Sequence, residues 1–413
     1  MSITVIKNGV LIDGKGKEPQ KGMSVVIEDN RIKQVIALKD LVIPENADII
    51  DAEGKYILPG FIDTHVHMAM EMGGLEETIL TPFSYRFYKS IHYMRRTLNA
   101  GITSVRDAGF SDLGMKKAVE DGLTAGPRMQ LSINPLTITG GHGDNWNRSG
   151  VDTTLQTYTG MPDAICDGVE EVRKTVRKML RAGAEVIKVH ATGGVSSPTD
   201  HPEFTQFSQE ELEVMVEEAA YRKGIRVMAH AQGAEGIKNA VRAGIHSIEH
   251  GIYIDDEAIE LMRENDTFLV PTLLAPVSVL ESAEGENSMA SYAIEKSKEV
   301  IEVHKESIAK AHRAGVKIAM GTDAGVFAHG TNLRELGLLC DAGMTPMEVL
   351  TATTKTAAEC LGWEKEVGTI EEGKLADVIM TDVDPLAEIR KLEDSERIVM
   401  VMKDGKIQKN LIR

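Results

Sequence analysis

Two histidines stand two residues apart in Phe61-Ile62-Asp63-Thr64-His65-Val66-His67, directly after Leu58-Pro59-Gly60. On a β-strand that spacing turns both imidazoles to one face. Side-by-side imidazoles suit a shared metal ion. Further candidate ligands follow at the ends of later apolar runs. These runs are Val186-Ile187-Lys188-Val189-His190, Met228-Ala229-His230-Ala231, Ile248-Glu249-His250-Gly251 and Met320-Gly321-Thr322-Asp323. A lone histidine at a strand end is more often a hydrogen-bonded structural residue, and Asp323 before Ala-Gly would suit a helix cap. Taken together they point to a metal site. Lys188 is the least ordinary member, because an inward lysine is costly unless paired or neutralised. Carbamylation by CO2 would turn it into a bridging carboxylate. That requires an unprotonated amine, which a nearby metal pair favours.

These residues need elements to hold them. Between 58 and 366, apolar runs alternate with amphipathic helical patterns. Strands are predicted at 61–67, 101–107, 128–134, 185–191, 225–230, 246–250, 267–273 and 316–322. Helices are predicted at 89–99, 166–182, 208–223, 233–243, 255–265, 295–314 and 345–361. Eight such units predict an α/β fold, a (β/α)8 TIM-like barrel, with functional side chains at strand C-termini. A doubly wound open sheet is the alternative, but no phosphate-cradling glycine motif follows the first strand. The Gly-rich pieces at 139–144 and 192–194 read as loops at the barrel mouth. Residues 1–57 and 367–413 carry short β-rich runs and turns. They are expected to pair into a small β-sandwich built from both chain ends. The polar stretch 273–295 is a candidate lid, or equally a disordered excursion.

Composition narrows the class. The chain has 413 residues, 42% hydrophobic and 26% charged, as soluble globular proteins do. No apolar run approaches the ~20 residues that span a bilayer, and the first residues do not read as a signal peptide. Three scattered cysteines without close pairing argue against a disulfide framework. A cytoplasmic enzyme is expected. The net charge of -17, from 46 basic and 63 acidic side chains, disfavours nucleic acid as a partner. Much of that acid lies on amphipathic helices and reads as solvated surface.

The motif set resembles the amidohydrolase superfamily over essentially the whole chain. The carrying residues are the 59–67 run, Lys188, His230, His250, Asp323, and the tail Gly368-Thr369-Ile370-Glu371-Glu372-Gly373-Lys374-Leu375-Ala376-Asp377. Within it the chain looks most like the imidazolonepropionase-related group with metal-dependent dipeptidases, both Xaa-Pro dipeptidases (prolidases) and Arg/Lys carboxypeptidases. Thr139-Gly140-Gly141-His142-Gly143-Asp144, the 187–195 segment and Gly321-Thr322-Asp323-Ala324-Gly325 carry that likeness. Ser196-Ser197-Pro198-Thr199-Asp200 looks prolidase-like. Gln232 departs from it, since prolidase relatives commonly carry tyrosine there. His329-Gly330-Thr331-Asn332 looks closer to the carboxypeptidases.

The resemblance implies two divalent metal ions, zinc by donor type. His65, His67 and Asp323 would hold one, His230 and His250 the other, with carbamylated Lys188 between them. It implies hydrolysis of an amide bond in a dipeptide or other N-acyl amino acid through a metal-bridging hydroxide. Asp323 would carry the proton. His142 is the candidate for carbonyl contact. His190, Arg148, Gln232 and His329 are candidates for substrate binding. A cyclic-amide hydrolase is the alternative, and Lys188 favours the first reading because the single-metal relatives lack it. Relatives form homo-oligomers, so a homo-oligomer acting on small substrates is expected.

Overall fold

Apolar alternation at the two ends and apolar runs in the middle fold into different kinds of sheet. The structure, a computed structural model, describes residues 2–71, 80–147, 149–152, 158–284 and 290–412. The N-terminal strands are β1 (Ile3–Leu11), β2 (Gln20–Glu28), β3 (Arg31–Ala37), β4 (Asp48–Asp51) and β5 (Tyr56–Pro59). The middle then alternates: β6 (Phe61–Val66), α1 (Tyr85–Asn99), β7 (Ile102–Asp107), α2 (Leu113–Glu120), β8 (Arg128–Leu131), α3 (Gly168–Ala182), β9 (Val186–His190) and α4 (Gln209–Ala220). It continues through β10 (Arg226–Ala231), α5 (Ala234–Arg242), β11 (Ser247–His250), α6 (Asp256–Glu264), β12 (Phe268–Val270), α7 (Leu274–Glu281) and α8 (Ser291–Arg313). Last come α9 (Arg334–Asp341), α10 (Pro346–Ala352), α11 (Lys355–Leu361), β13 (Val378–Thr381), β14 (Ile398–Lys403) and β15 (Lys406–Asn410).

Strands from both chain ends share one sheet in the order β15-β14-β13-β5-β1-β2-β3, with β4 paired to β1. It has its own apolar cluster, including Ile6, Val25, Ile57, Val378 and Met400. The middle strands pair in parallel, β6-β7-β8 in one sheet and β12-β11-β10-β9 in another. Every residue of β6, β7 and β9 is buried, as expected when both faces of a parallel sheet are covered. The two sheets are bridged on both sides. Leu136 pairs in parallel with Val189, while Leu269 pairs with Ile318 and Val66 with Ala324.

The 316–322 segment, expected as a strand, makes the Ile318 bridge without becoming a regular strand. Ala319 N donates to Leu269 O and Thr64 N to Met320 O. Its chain then leaves the extended region, with Asp323 at φ 64°. The helix expected over 345–361 is instead two, α10 and α11. Thr353 and Thr354 turn their hydroxyls back onto the carbonyls of Val349 and Leu350, which competes with the helical ladder. The 273–295 stretch holds α7 and the start of α8, with 285–289 outside the described residues. Among the described residues, no helix is long and apolar enough to cross a membrane.

Candidate metal centre

His65 and His67 project from the end of β6 toward Asp323. Their Nε2 atoms lie 3.4 and 3.1 Å from Asp323 Oδ1. The ligand atoms of these three residues fall within 4.8 Å of one another. Lys188, from the middle of β9, brings Nζ to 3.2 Å from His65 Nε2. The His250 ring lies 5.1 Å from that of His65 and 4.6 Å from that of His230. All six residues predicted as ligands therefore converge on one buried cluster.

Two of them reach it by breaking strand alternation. Glu249 and His250 are sequence neighbours, so an extended chain would send them to opposite faces. His250 has φ 73° and Asp323 φ 64°, a conformation uncommon outside glycine. The kink lets Glu249 and His250 both face His65.

Hydrogen bonds fix which ring nitrogen is free. His65 engages Glu249 Oε2 through Nδ1 at 2.7 Å, His67 engages Gly109 O through Nδ1 at 3.2 Å, and His250 engages Thr272 Oγ1 through Nδ1 at 2.6 Å. Each leaves Nε2 for another partner. His230 is the reverse, with Nε2 at 2.9 Å from Gly193 O. Glu249 is itself held by Arg106 Nη2 at 2.9 Å and Ser247 Oγ at 2.6 Å. Asp63 accepts from the backbone of His65 and Thr322 and from the side chains of Thr322 and Asn332. Asp107 likewise receives Met68 N, Gly109 N and Ser111 Oγ. The sequence reading passed over Glu249, Arg106, Asp63 and Asp107. An acidic residue inside each apolar strand was the signal available for three of them.

Burial, followed by neighbouring imidazoles and the Lys188 amine, pushes His190, His230 and His250 well below the ordinary histidine range. These rings are neutral at pH 7 and keep a lone pair, as a metal ligand must. Burial raises the Asp323 carboxyl, but His65 and His67 outweigh it and hold it well below its ordinary value. Burial lowers Lys188 to about 8, against the opposing pull of Glu249 and Asp323.

The remaining candidates separate. His142 stacks on His230 with ring centres 4.3 Å apart, and it meets His190 edge-on at 5.0 Å. Its Nδ1 lies 2.9 Å from Ser197 Oγ. His190 Nδ1 and Gln232 Oε1 are buried without a hydrogen-bond partner among the described residues. His329 is fully enclosed: its Nε2 meets Met70 O at 2.8 Å and its ring stacks on Tyr93. It holds the backbone after β6 and has no face left for a substrate. Arg148 lies outside the described residues.

Residues 56–408 match the Amidohydrolase family. Ochratoxinase of Aspergillus niger is 34% identical over 98% of this chain and 87% of that protein. A Xaa-Pro dipeptidase crystallised with methionine in its active site superposes with a TM-score of 0.89 at 35% identity, covering 98% of this chain and 99% of that one. A prolidase complexed with N-methylphosphonate-L-proline gives 0.93 at 35% identity, covering 99% and 100%. With nearly the full length matched by such relatives, this chain belongs to the amidohydrolase family and is a hydrolase acting on C–N bonds.

Proposed function

We propose that this protein is a binuclear metal-dependent amide hydrolase acting on Xaa-Pro dipeptides or other N-acyl amino acids. The framework we propose is a closed (β/α)8 barrel over 58–366 beside a domain from 1–57 and 367–413. The parallel bridges at Leu136, Ile318 and Ala324 support closure. The observation that carries the function is the grouping of His65, His67 and Asp323 with Lys188, His250 and His230 as their neighbours. The prolidase likeness supports the substrate class.

The residues fit divalent ions. His65, His67 and Asp323 would hold one through Nε2 atoms and a carboxylate already close together. His250 through Nε2 and His230 through Nδ1 would hold the second, with zinc suiting these donors. Lys188 would lie between them as a carbamate, since an amine lowered to about 8 supplies the neutral form that adds CO2. When bound, the ions would polarise the scissile carbonyl and lower the pKa of the attacking water. Asp323 takes that water's proton on a carboxylate oxygen and delivers it to the leaving nitrogen. His142 and His190, neighbouring His230, would meet the substrate's carbonyl or carboxylate oxygens.

The test is a matched pair of substrates on zinc-loaded enzyme. N-acyl-proline, or a dipeptide ending in Pro, Arg or Lys, should be hydrolysed faster than its C-terminal amide. Losing one charge-assisted hydrogen bond, roughly 1.5–3 kcal/mol, predicts a difference of about ten- to a hundred-fold in kcat/KM. Equal rates across the panel would refute the dipeptidase assignment and favour a cyclic-amide or other N-acyl amide hydrolase.

A further inference from the structure

The loop after β9 has no regular structure from Gly194 to His201, yet three of its carbonyls converge. Gly194 O, Ser197 O and Asp200 O all point at the ammonium of Lys296, one turn into α8, at 3.0, 2.8 and 2.7 Å. An ammonium has three N–H groups, and one loop takes all three. Tyr292, on the same helix face, adds its hydroxyl to Ser196 O at 3.2 Å. The other side of the loop faces His142. Ser197 Oγ lies 2.9 Å from His142 Nδ1, Ser196 Oγ 3.4 Å from Nε2, and Asp200 Oδ2 3.5 Å from Nδ1. Ser197 Oγ also donates to Asp200 Oδ1, and Gln206 Nε2 donates to Asp200 Oδ2 at 3.0 Å. Gly194 packs flat on the ring, since a Cβ there would fall 2.3 Å from His142 Cε1.

We propose that Lys296 is a positioning residue for His142, acting through the Gly194–Asp200 loop. This rests on the reading above that His142 meets the substrate. Among the described residues no other donor meets the carbonyls of Gly194, Ser197 and Asp200, so without the cation these three repel one another and turn to water. Ser197 then releases His142 Nδ1, and the stack on His230 loses its outer wall. A ring displaced by about 1 Å can cost on the order of a hundredfold in rate. Lys296 thus couples a distant helix to the catalytic mouth without touching substrate.

The experiment uses full-length, zinc-loaded Lys296→Met, with Lys298→Met, exposed on the same helix, as control. Hydrogen–deuterium exchange should quicken by about tenfold or more at 193–204 and 139–144 and nowhere else, as local opening predicts. Elemental analysis should show unchanged zinc. For any amide the wild type hydrolyses, kcat should fall about ten- to a hundred-fold, with KM changed much less. Lys296→Arg, which keeps a multi-donor cation, should restore most of both readouts. Tyr292→Phe removes only the outer link and should move exchange in the same direction by less, giving a second test if Lys296→Met does not fold. Unchanged exchange at 139–144, or loosened exchange with kcat intact, would overturn the proposal. If wild type hydrolyses no amide, the functional reading fails, and the exchange result alone still decides whether Lys296 positions His142.

Discussion

Glu249→Gln is the most informative single change, because one buried carboxylate serves three donors. Its two oxygens receive His65 Nδ1, Arg106 Nη2 and Ser247 Oγ. Glu249 and Arg106 are 0% and 1% exposed. The amide keeps the shape, but it removes the charge and turns one acceptor into a donor. That donor then faces either Arg106 or the His65 ring. Arg106 is left as a buried cation without its counter-charge, a loss of about 3–5 kcal/mol. The His65 ring loses the bond that fixes its tautomer and aims Nε2 at the centre. Loss of such an outer partner lowers metal affinity by about ten- to a hundred-fold. Urea unfolding of metal-free protein reads the first effect, and zinc competition against a chelator reads the second. Both should move. An unchanged urea midpoint would refute the burial argument. A large stability loss with unaltered zinc affinity would show that Glu249 does not orient His65.

Two further outcomes follow from the buried titratable groups. Lys188→Ala should lose most turnover, and short carboxylates supplied with zinc should restore part of it; near-normal turnover in the unrescued variant would exclude the carbamate bridge. Glu335 is buried beneath α7, where it accepts Leu273 N and Leu274 N, and burial raises its carboxyl from 4.5 to about 8. The folded state therefore holds the proton longer: the contribution is complete below 4.5 and lost as pH climbs through about 8. Stability should decline across that window by up to about 1.4 kcal/mol per pH unit from this group. Urea midpoints at several pH values should show a flatter slope for Glu335→Gln, and parallel slopes would discard the assignment.

The sequence made the ligands legible because strand parity and run endings are local properties. His65 and His67 share a face by spacing alone, and Lys188 stands out by its cost in an apolar run. What parity could not show was the pair Glu249 and His250, which share a side only through the left-handed kink at His250. Nor could it show that Asp323 follows a segment too irregular to count as a strand. His329 reads as a loop candidate for substrate binding because it stands beside glycine, whereas in the fold Tyr93 and Met70 enclose it. Lys296 was invisible for the opposite reason. On an amphipathic helix a lysine reads as solvated, and only the folded chain brings three carbonyls to it. The undivided helix expected over 345–361 failed where two threonines bond backward, an outcome that hydrophobic periodicity does not register.

The shared sheet of the chain ends has a consequence for how this protein is made. Pro59 on β5 pairs with Val378 on β13, so the partner of that strand leaves the ribosome long after it. At roughly 5–20 residues per second, β5 waits on the order of tens of seconds with one edge open. An open strand edge is a template for pairing with other chains. Nascent chains stalled before residue 378 would therefore carry a sticky margin that the finished protein lacks. Synthesis speed and chaperone supply, rather than the stability of the completed fold, would then govern how much of it accumulates.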